Sequence, residues 1–225
     1  MTTEAPFVVT VDGPSGSGKG SLALAVAREL GFHLLDSGAI YRLLALKALQ
    51  RKVDLDDEAE VVALLGDCNI RFEAGDELSI PFLDDQDVSA ELRREEAGEA
   101  ASRVARHAEG RTGLLALQRD FFRPPGLVAD GRDMGTVVFP EARFKFFLLA
   151  SVEIRAQRRY KQLINMGLSA NIAHLQADIA ARDERDQNRS ASPLRPAEDA
   201  LIVDSSLLDL AQVIEIVLEH IRENL

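Results

Sequence analysis

The chain has 225 residues, 46% hydrophobic and 28% charged, values of an ordinary globular protein that exclude collagen-like, low-complexity and largely disordered readings. A single cysteine, Cys68, excludes a disulfide framework and a cysteine-rich zinc site, and no apolar run approaches the ~18 residues of a spanning helix. The formal net charge of -11 argues against general binding to nucleic acid or an anionic membrane surface. The first residues include Glu4 and no basic run, so no signal peptide is expected, and the chain reads as a cytoplasmic monomer with one core and sizeable insertions.

Phe7–Asp12 is a short apolar run that stops at a glycine-rich loop and reads as a buried strand. Leu22, Ala23, Val26, Ala27 and Leu30 then recur at helical spacing, with Gly31 placed to end the helix. Phe32–Asp36 reads as a second strand, followed by a helix marked by Ile40, Leu43, Leu44 and Ala48. Asn69–Glu73 and Leu78–Leu83 flank Gly75-Asp76 and resemble an antiparallel hairpin, with a polar helix over Ala90–Ala108 after it. Leu127–Asp130, Phe144–Ala150 and Ala200–Asp204 are three further strands. Residues 151–187 read as helical apart from an interruption near Gly167–Ser169. In the last helix Leu210, Val213, Ile214, Val217 and Ile221 share a face, with Ser206 and Asp209 at capping-box spacing. Strands alternating with helices predict an α/β fold with a five-stranded parallel sheet covered on both faces.

The loop after the first strand, Gly13-Pro14-Ser15-Gly16-Ser17-Gly18-Lys19-Gly20-Ser21, carries the strongest chemical signal. Its glycines let backbone N–H groups converge on phosphate oxygens, and the helix behind it aims a positive dipole end at them. Lys19 adds a compact cation for the phosphates of a nucleotide. The hydroxyl that commonly follows the lysine is replaced by Gly20 and comes one position later, at Ser21. Ser21 is therefore a candidate for Mg²⁺, for a phosphate, or for either through water. No Asn-Lys-x-Asp guanine-reading motif is present, which favours a kinase over a switch GTPase.

A second anion has its own candidates. Ser37, the helix N-terminus beside it and Arg42 follow the second strand, and Asp130–Thr136 follows another. In an open α/β sheet both lie at the edge where ligands bind. Arginine dominates the basic residues, 21 against 5 lysines, and its planar fork matches phosphate and carboxylate. Residues 155–195 hold seven arginines and Lys161 against four acids, a local +4 in an acidic chain. One reading is a set of solvated helix faces; the other is an arginine-rich segment that closes over an anionic ligand.

These motifs together resemble the bacterial cytidylate kinases: GPSGSGKGS at 13–21, LLDSGAIYR at 34–42, ADGRDMGTVVFP at 129–140 and ARDERDQNRSASPL at 181–194. The resemblance runs from about residue 7 to 217. Gly20 agrees with the family, and Ser21 stands where the family usually has threonine. The resemblance implies an enzyme that uses ATP and Mg²⁺ to convert CMP or dCMP to the diphosphate. It implies a phosphate-loop core (1–36, 112–150 and 191–225), a nucleoside-monophosphate region (37–111, with a β insertion at about 63–105) and a helical lid (151–190). It also assigns roles by position. Ser37, Arg42 and Arg132 resemble acceptor-phosphate ligands. Ser102, Arg111 and Asp133 resemble base readers, and Arg182 and Asp186 ribose ligands. Arg158, Arg159 and Arg189 resemble lid cations around the phosphates. Tyr41 and Asp130 complete the expected CMP set. Lys19, Arg132, Arg159 and Arg189 are the expected catalytic cations.

The chemistry of cytosine accords with this set. Its N4 amino group donates where uracil presents a carbonyl, so a carboxylate such as Asp133 favours cytosine and repels uracil. Another acceptor on the same core (UMP, AMP or a small alcohol) and a non-catalytic nucleotide-gated binding protein are the competing readings. His33, His107, His174 and His220 show no metal-ligand spacing and read as surface or core residues, and Cys68 as a small apolar one.

Overall fold

The computed structural model describes residues 6–73, 80–165, 167 and 169–225. Its elements in chain order are β1 (Phe7–Asp12), α1 (Lys19–Leu30), β2 (His33–Asp36), α2 (Ser37–Arg51), α3 (Glu58–Ala63), β3 (Ile70–Glu73), β4 (Ile80–Leu83), β5 (Gln86–Asp87), α4 (Ser89–Leu92), α5 (Glu95–Val104), α6 (Ala108–Arg119), β6 (Gly126–Gly131), β7 (Phe144–Leu149), α7 (Val152–Asn165), α8 (Ile172–Asn188), β8 (Leu201–Asp204) and α9 (Leu210–Glu223). A 3₁₀ turn, Leu64–Asp67, follows α3, and a π turn, Met134–Val138, follows β6. The chain divides into two compact units, one running to Leu35 and resuming at Phe121–Leu225, the other Asp36–Asp120.

The first unit is built on a five-stranded sheet of order β2-β6-β1-β7-β8. β1 pairs in parallel with β6 and β7, and β7 with β8, as the alternation of strand and helix predicts. Val9, Val11, Val128, Phe144, Phe146 and Leu148 are buried from the sheet; Leu22, Ala23 and Val26 join them from α1, and Val213, Val217 and Ile221 from α9. Both helical sets recur at three and four residues, so each helix lays one stripe on the strands. Phe7 packs edge-on against Phe32 and Phe144, with ring centroids 4.9 and 5.6 Å away. Parallel pairing sends the carboxyl ends of β1, β6, β7 and β8 to one edge, and the loops that follow them start there.

The second unit packs α2 against a small antiparallel sheet of order β3-β4-β5. Leu43 of α2, Leu83 of β4, Val88 and Leu92 of α4 form its core cluster. The expected hairpin is present as β3 and β4, while its Gly75-Asp76 turn lies outside the described residues. The sequence reading omitted β5. Asp84 and Asp85 both adopt positive φ, 49° and 65°, a two-residue turn that aspartate tolerates and that folds β5 back onto β4.

Two other expectations are corrected. The helix expected over Ala90–Ala108 is broken into α4 and α5 by an extended Arg94 (ψ 148°), and His107 (ψ 120°) separates α5 from α6. The break lets Leu92 reach the α2 cluster while α5 buries its own row of small residues, Ala97, Ala100 and Ala101. The capping box of α9 is Asp209 with Gln212, not Ser206 with Asp209. Ser206 is used before the helix: its N–H donates to Asp204 and its hydroxyl accepts from the Ser151 N–H.

Candidate active site

The phosphate loop is assembled from its backbone. Gly13 follows β1 directly, and a Cβ there would sit 2.3 Å from the Leu148 carbonyl oxygen, so only glycine lets the loop leave the strand this close to β7. Gly18 caps α1 at φ 96°, and no acidic side chain occupies the first turn of that helix, which leaves its positive end for an anion. Lys19 is buried against the loop, donates to the Pro14 carbonyl at 3.3 Å and lies 4.0 Å from Asp130 at the end of β6. Gly20 has a steric reason: a Cβ there would lie 3.1 Å from Asp130 Oδ2. The Asp130 carboxylate occupies the space that a side chain at position 20 would need, and the hydroxyl stands at Ser21, exposed in the first turn.

Two arginines of α7 hold the loop from behind. Arg155, 3% exposed, donates to the Ala150 carbonyl at 2.9 Å, to the Ser15 carbonyl at 3.0 Å and to both carboxylate oxygens of Asp183 on α8. Arg158 donates to the Ser17 carbonyl at 3.0 Å and to the backbone and side chain of Ser205. Sequence reasoning missed Arg155, Asp183 and Ser205. Arg155 was visible only as one member of the basic cluster, and nothing in the spacing marks the other two.

The Arg132–Asp133 turn stands beside this loop. Asp12 ends β1 and pairs in register with Gly131. Its two carboxylate oxygens accept the N–H groups of Met134 and Gly135, each at 2.8 Å. Arg132 Nε donates to Asp186 of α8 at 3.0 Å, and Asp133 is buried. Burial alone would raise the Asp186 carboxyl, but Arg132, Arg182 and Arg189 outweigh it and hold the group below the usual carboxylate range. Arg189 donates to the Ser192 carbonyl at 2.5 Å, and Arg159 to Gln162 at 2.8 Å. The first unit therefore gathers the phosphate loop, Asp130, Arg132, Asp133 and Asp186 at the carboxyl edge of its sheet. Asp12, which links two of these parts, was also missed: it lies outside the glycine-rich motif and has no partner within hydrogen-bonding reach along the sequence.

The second unit carries the other expected ligands. Asp36 caps α2 through the Ala39 N–H and lies 3.9 Å from Arg42. The buried Ser37 hydroxyl donates to Gln118 of α6 at 2.7 Å. Arg111 is buried, donates to the Ala105 carbonyl at 3.0 Å and sits over the Tyr41 ring, 5.1 Å from its centroid. The Ser102 hydroxyl of α5 is buried with no hydrogen-bond partner among the described residues. The histidines behave as expected: His107 is buried and bonded to the Leu55 carbonyl, and His33 to that of Pro124. Burial pushes the Cys68 thiol up to about 11, so it stays a neutral, largely apolar group. No helix among the described residues is long and apolar enough to cross a membrane.

Comparison with known proteins identifies the family. The chain is 53% identical over 219 residues to the cytidylate kinase of Pasteurella multocida, covering 97% of this chain and 96% of that protein. It is 54% identical over 213 residues to that of Photobacterium profundum, covering 95% and 93%. With that of Vibrio parahaemolyticus it shares 52% identity over 225 residues, 100% of this chain and 99% of the other. Residues 9–223 match the family model described as cytidylate kinase. A phosphate loop backed by Lys19, an arginine-bearing turn beside it and similarity along the whole chain lead to one conclusion: the chain belongs to the cytidylate kinase family.

Proposed function

We propose that this chain transfers the γ-phosphate of ATP to CMP, and to dCMP, releasing ADP and the nucleoside diphosphate. The observation that carries the reading is the proximity of the Lys19 loop to the Arg132–Asp133 turn, in a chain of this family. Phosphoryl transfer needs two mutually repelling anions brought in line, their charge neutralised and water kept away. The loop amides and Lys19 take the β- and γ-phosphates of ATP. Ser37, Arg42 and Arg132 take the acceptor phosphate. Its attacking oxygen is largely deprotonated at neutral pH, so no protein base is needed. Arg158, Arg159 and Arg189 add positive charge around the phosphates, and the helical lid, 151–190, closes over them.

Base and sugar reading follow from the same chemistry. Asp133 accepts from cytosine N4, while Arg111 and Ser102 donate to its acceptors; the partnerless Ser102 hydroxyl supports this role. Arg182 and Asp186 hold the ribose, Tyr41 packs beside the nucleotide, and Asp130 lies at the phosphate side. Ser21 and Asp130 are hard oxygen donors suited to Mg²⁺, held directly or through water. When bound, Mg²⁺ would supply neutralisation of phosphate charge. The protein works as a cytoplasmic monomer.

The test is coupled ADP release with CMP, dCMP, UMP and AMP in parallel. Turnover with CMP and dCMP well above UMP and AMP is expected. Tight ATP binding without transfer to CMP would make the chain a binding protein instead.

A further inference from the structure

The Arg132–Asp133 turn is tied down at both ends by one residue. On one side Asp12 pairs with Gly131 in the β1–β6 ladder. On the other its carboxylate accepts both the Met134 and Gly135 N–H groups at 2.8 Å. The two residues left between these anchors are Arg132 and Asp133. The turn is also pressed close to β1: a Cβ on Gly135 would lie 2.9 Å from Thr10 Oγ1, and the buried Met134 packs over Gly131. From Asp133 the chain then runs into the π turn, whose Val138 N–H returns to the Asp133 carbonyl at 3.2 Å.

A carboxyl group is the side chain this arrangement needs, because each of its two oxygens can accept a hydrogen bond. Two successive N–H groups converge from one direction and require two acceptors. Asparagine offers one acceptor and would set its NH₂ against the second donor. Asp12 is 5% exposed, so a lost partner there has no ready replacement by water.

We infer that Asp12 is a positioning residue for CMP recognition, fixing through the Met134 and Gly135 N–H groups the turn that presents Arg132 and Asp133. The inference rests on the CMP-kinase reading above. Asp12 touches neither nucleotide; it sets where the acceptor-phosphate cation and the base-reading carboxylate stand.

Steady-state kinetics of Asp12→Asn with ATP, CMP and UMP test it. We expect KM for CMP to rise at least tenfold and the CMP-over-UMP preference in kcat/KM to narrow at least threefold, with KM for ATP held within twofold. A general loosening of the core would instead lower kcat or move both KM values together, and that result, or unchanged CMP parameters, would overturn the assignment. Should Asp12→Asn not fold, Asp12→Glu carries the same test, because it keeps two acceptor oxygens but moves them relative to the Met134 and Gly135 N–H groups. The wild-type chain, assayed first, separates the two claims: failure to phosphorylate CMP would defeat the functional reading, while normal wild-type activity with an unaffected variant would defeat only the role of Asp12.

Discussion

Lys19 and Asp133 carry the sharpest chemical commitments. Lys19 is held by the Pro14 carbonyl and sits near Asp130, so its ammonium is placed before any nucleotide arrives. Preorganised charge of this kind is worth most in a water-poor site, and Lys19→Ala should lower kcat by roughly 10²–10³. Near-normal turnover of that variant in the coupled assay would remove Lys19 from the chemistry. Asp133→Ala should shrink the preference for CMP over UMP by about 1–3 kcal/mol, the range for a good base contact. Side-by-side kcat/KM values for the two nucleotides measure it, and an unchanged ratio would send base reading to Arg111 or Ser102. These residues were readable from the chain alone because they lie in motifs whose spacing has a chemical meaning. Asp12 was not: its partners, Met134 and Gly135, are 122 and 123 positions away.

Secondary structure was legible where one periodicity ran uninterrupted. β1, β6, β7 and β8 fall within a residue or so of the apolar runs, and α9 shows its buried stripe plainly. It failed where tertiary packing chose among acceptable local states. Nothing at Arg93–Arg94 demands a break, yet the extended Arg94 separates the buried Leu92 of α4 from the buried alanines of α5. α3, a single six-residue helix, is too short for its period to stand out. At this level α7 contributes more than a basic face, since Arg155 joins the Ser15 carbonyl to Asp183 of α8. Removing one partner of a buried pair leaves the other charge stranded, which costs about 3–5 kcal/mol. Arg155→Ala should therefore lose at least about 3 kcal/mol in denaturant unfolding, against under about 1 kcal/mol for the exposed Arg222, whose bond to Glu29 lies on the surface. Equal losses for the two would mean that Arg155 holds nothing together.

Taken as a whole, the chain is an acidic protein that concentrates cations near one sheet edge and buries the Asp12 carboxyl group at the end of β1. Burial pushes the Asp12 carboxyl up to about 7, opposed by the Gly135 and Met134 N–H groups and reinforced by the charges of Asp133 and Asp130. In the folded chain that group keeps its proton at pH values where the unfolded chain, with its value of 3.8, has released it. Folding then takes up a proton, so the contribution is full below about 4 and lost as pH climbs through about 7. The stability of the wild type relative to Asp12→Asn should fall from about pH 4 to about pH 7 and level off above it, as read by guanidinium unfolding of both proteins. Parallel curves would mean that the carboxyl does not titrate in this window. The family and the parallel sheet were open to reading from motif order and strand–helix alternation. No linker-like composition marks the division at Leu35 and Phe121.

The grip of α7 on the loop limits how α7 and α8, the lid proposed above, can travel. Arg155 and Arg158 pin the root of α7 to Ser15, Ser17 and Ser205, and Asp183 pins the base of α8 to the same guanidinium. While those bonds last, the hairpin resembles a lever clamped at its fulcrum. Amplitude grows toward the free tip, near Gly167 and Asn171, and vanishes at Arg155. A spin label at Lys161 or His174 should register nucleotide-dependent displacement, whereas one at Gln157 should scarcely move.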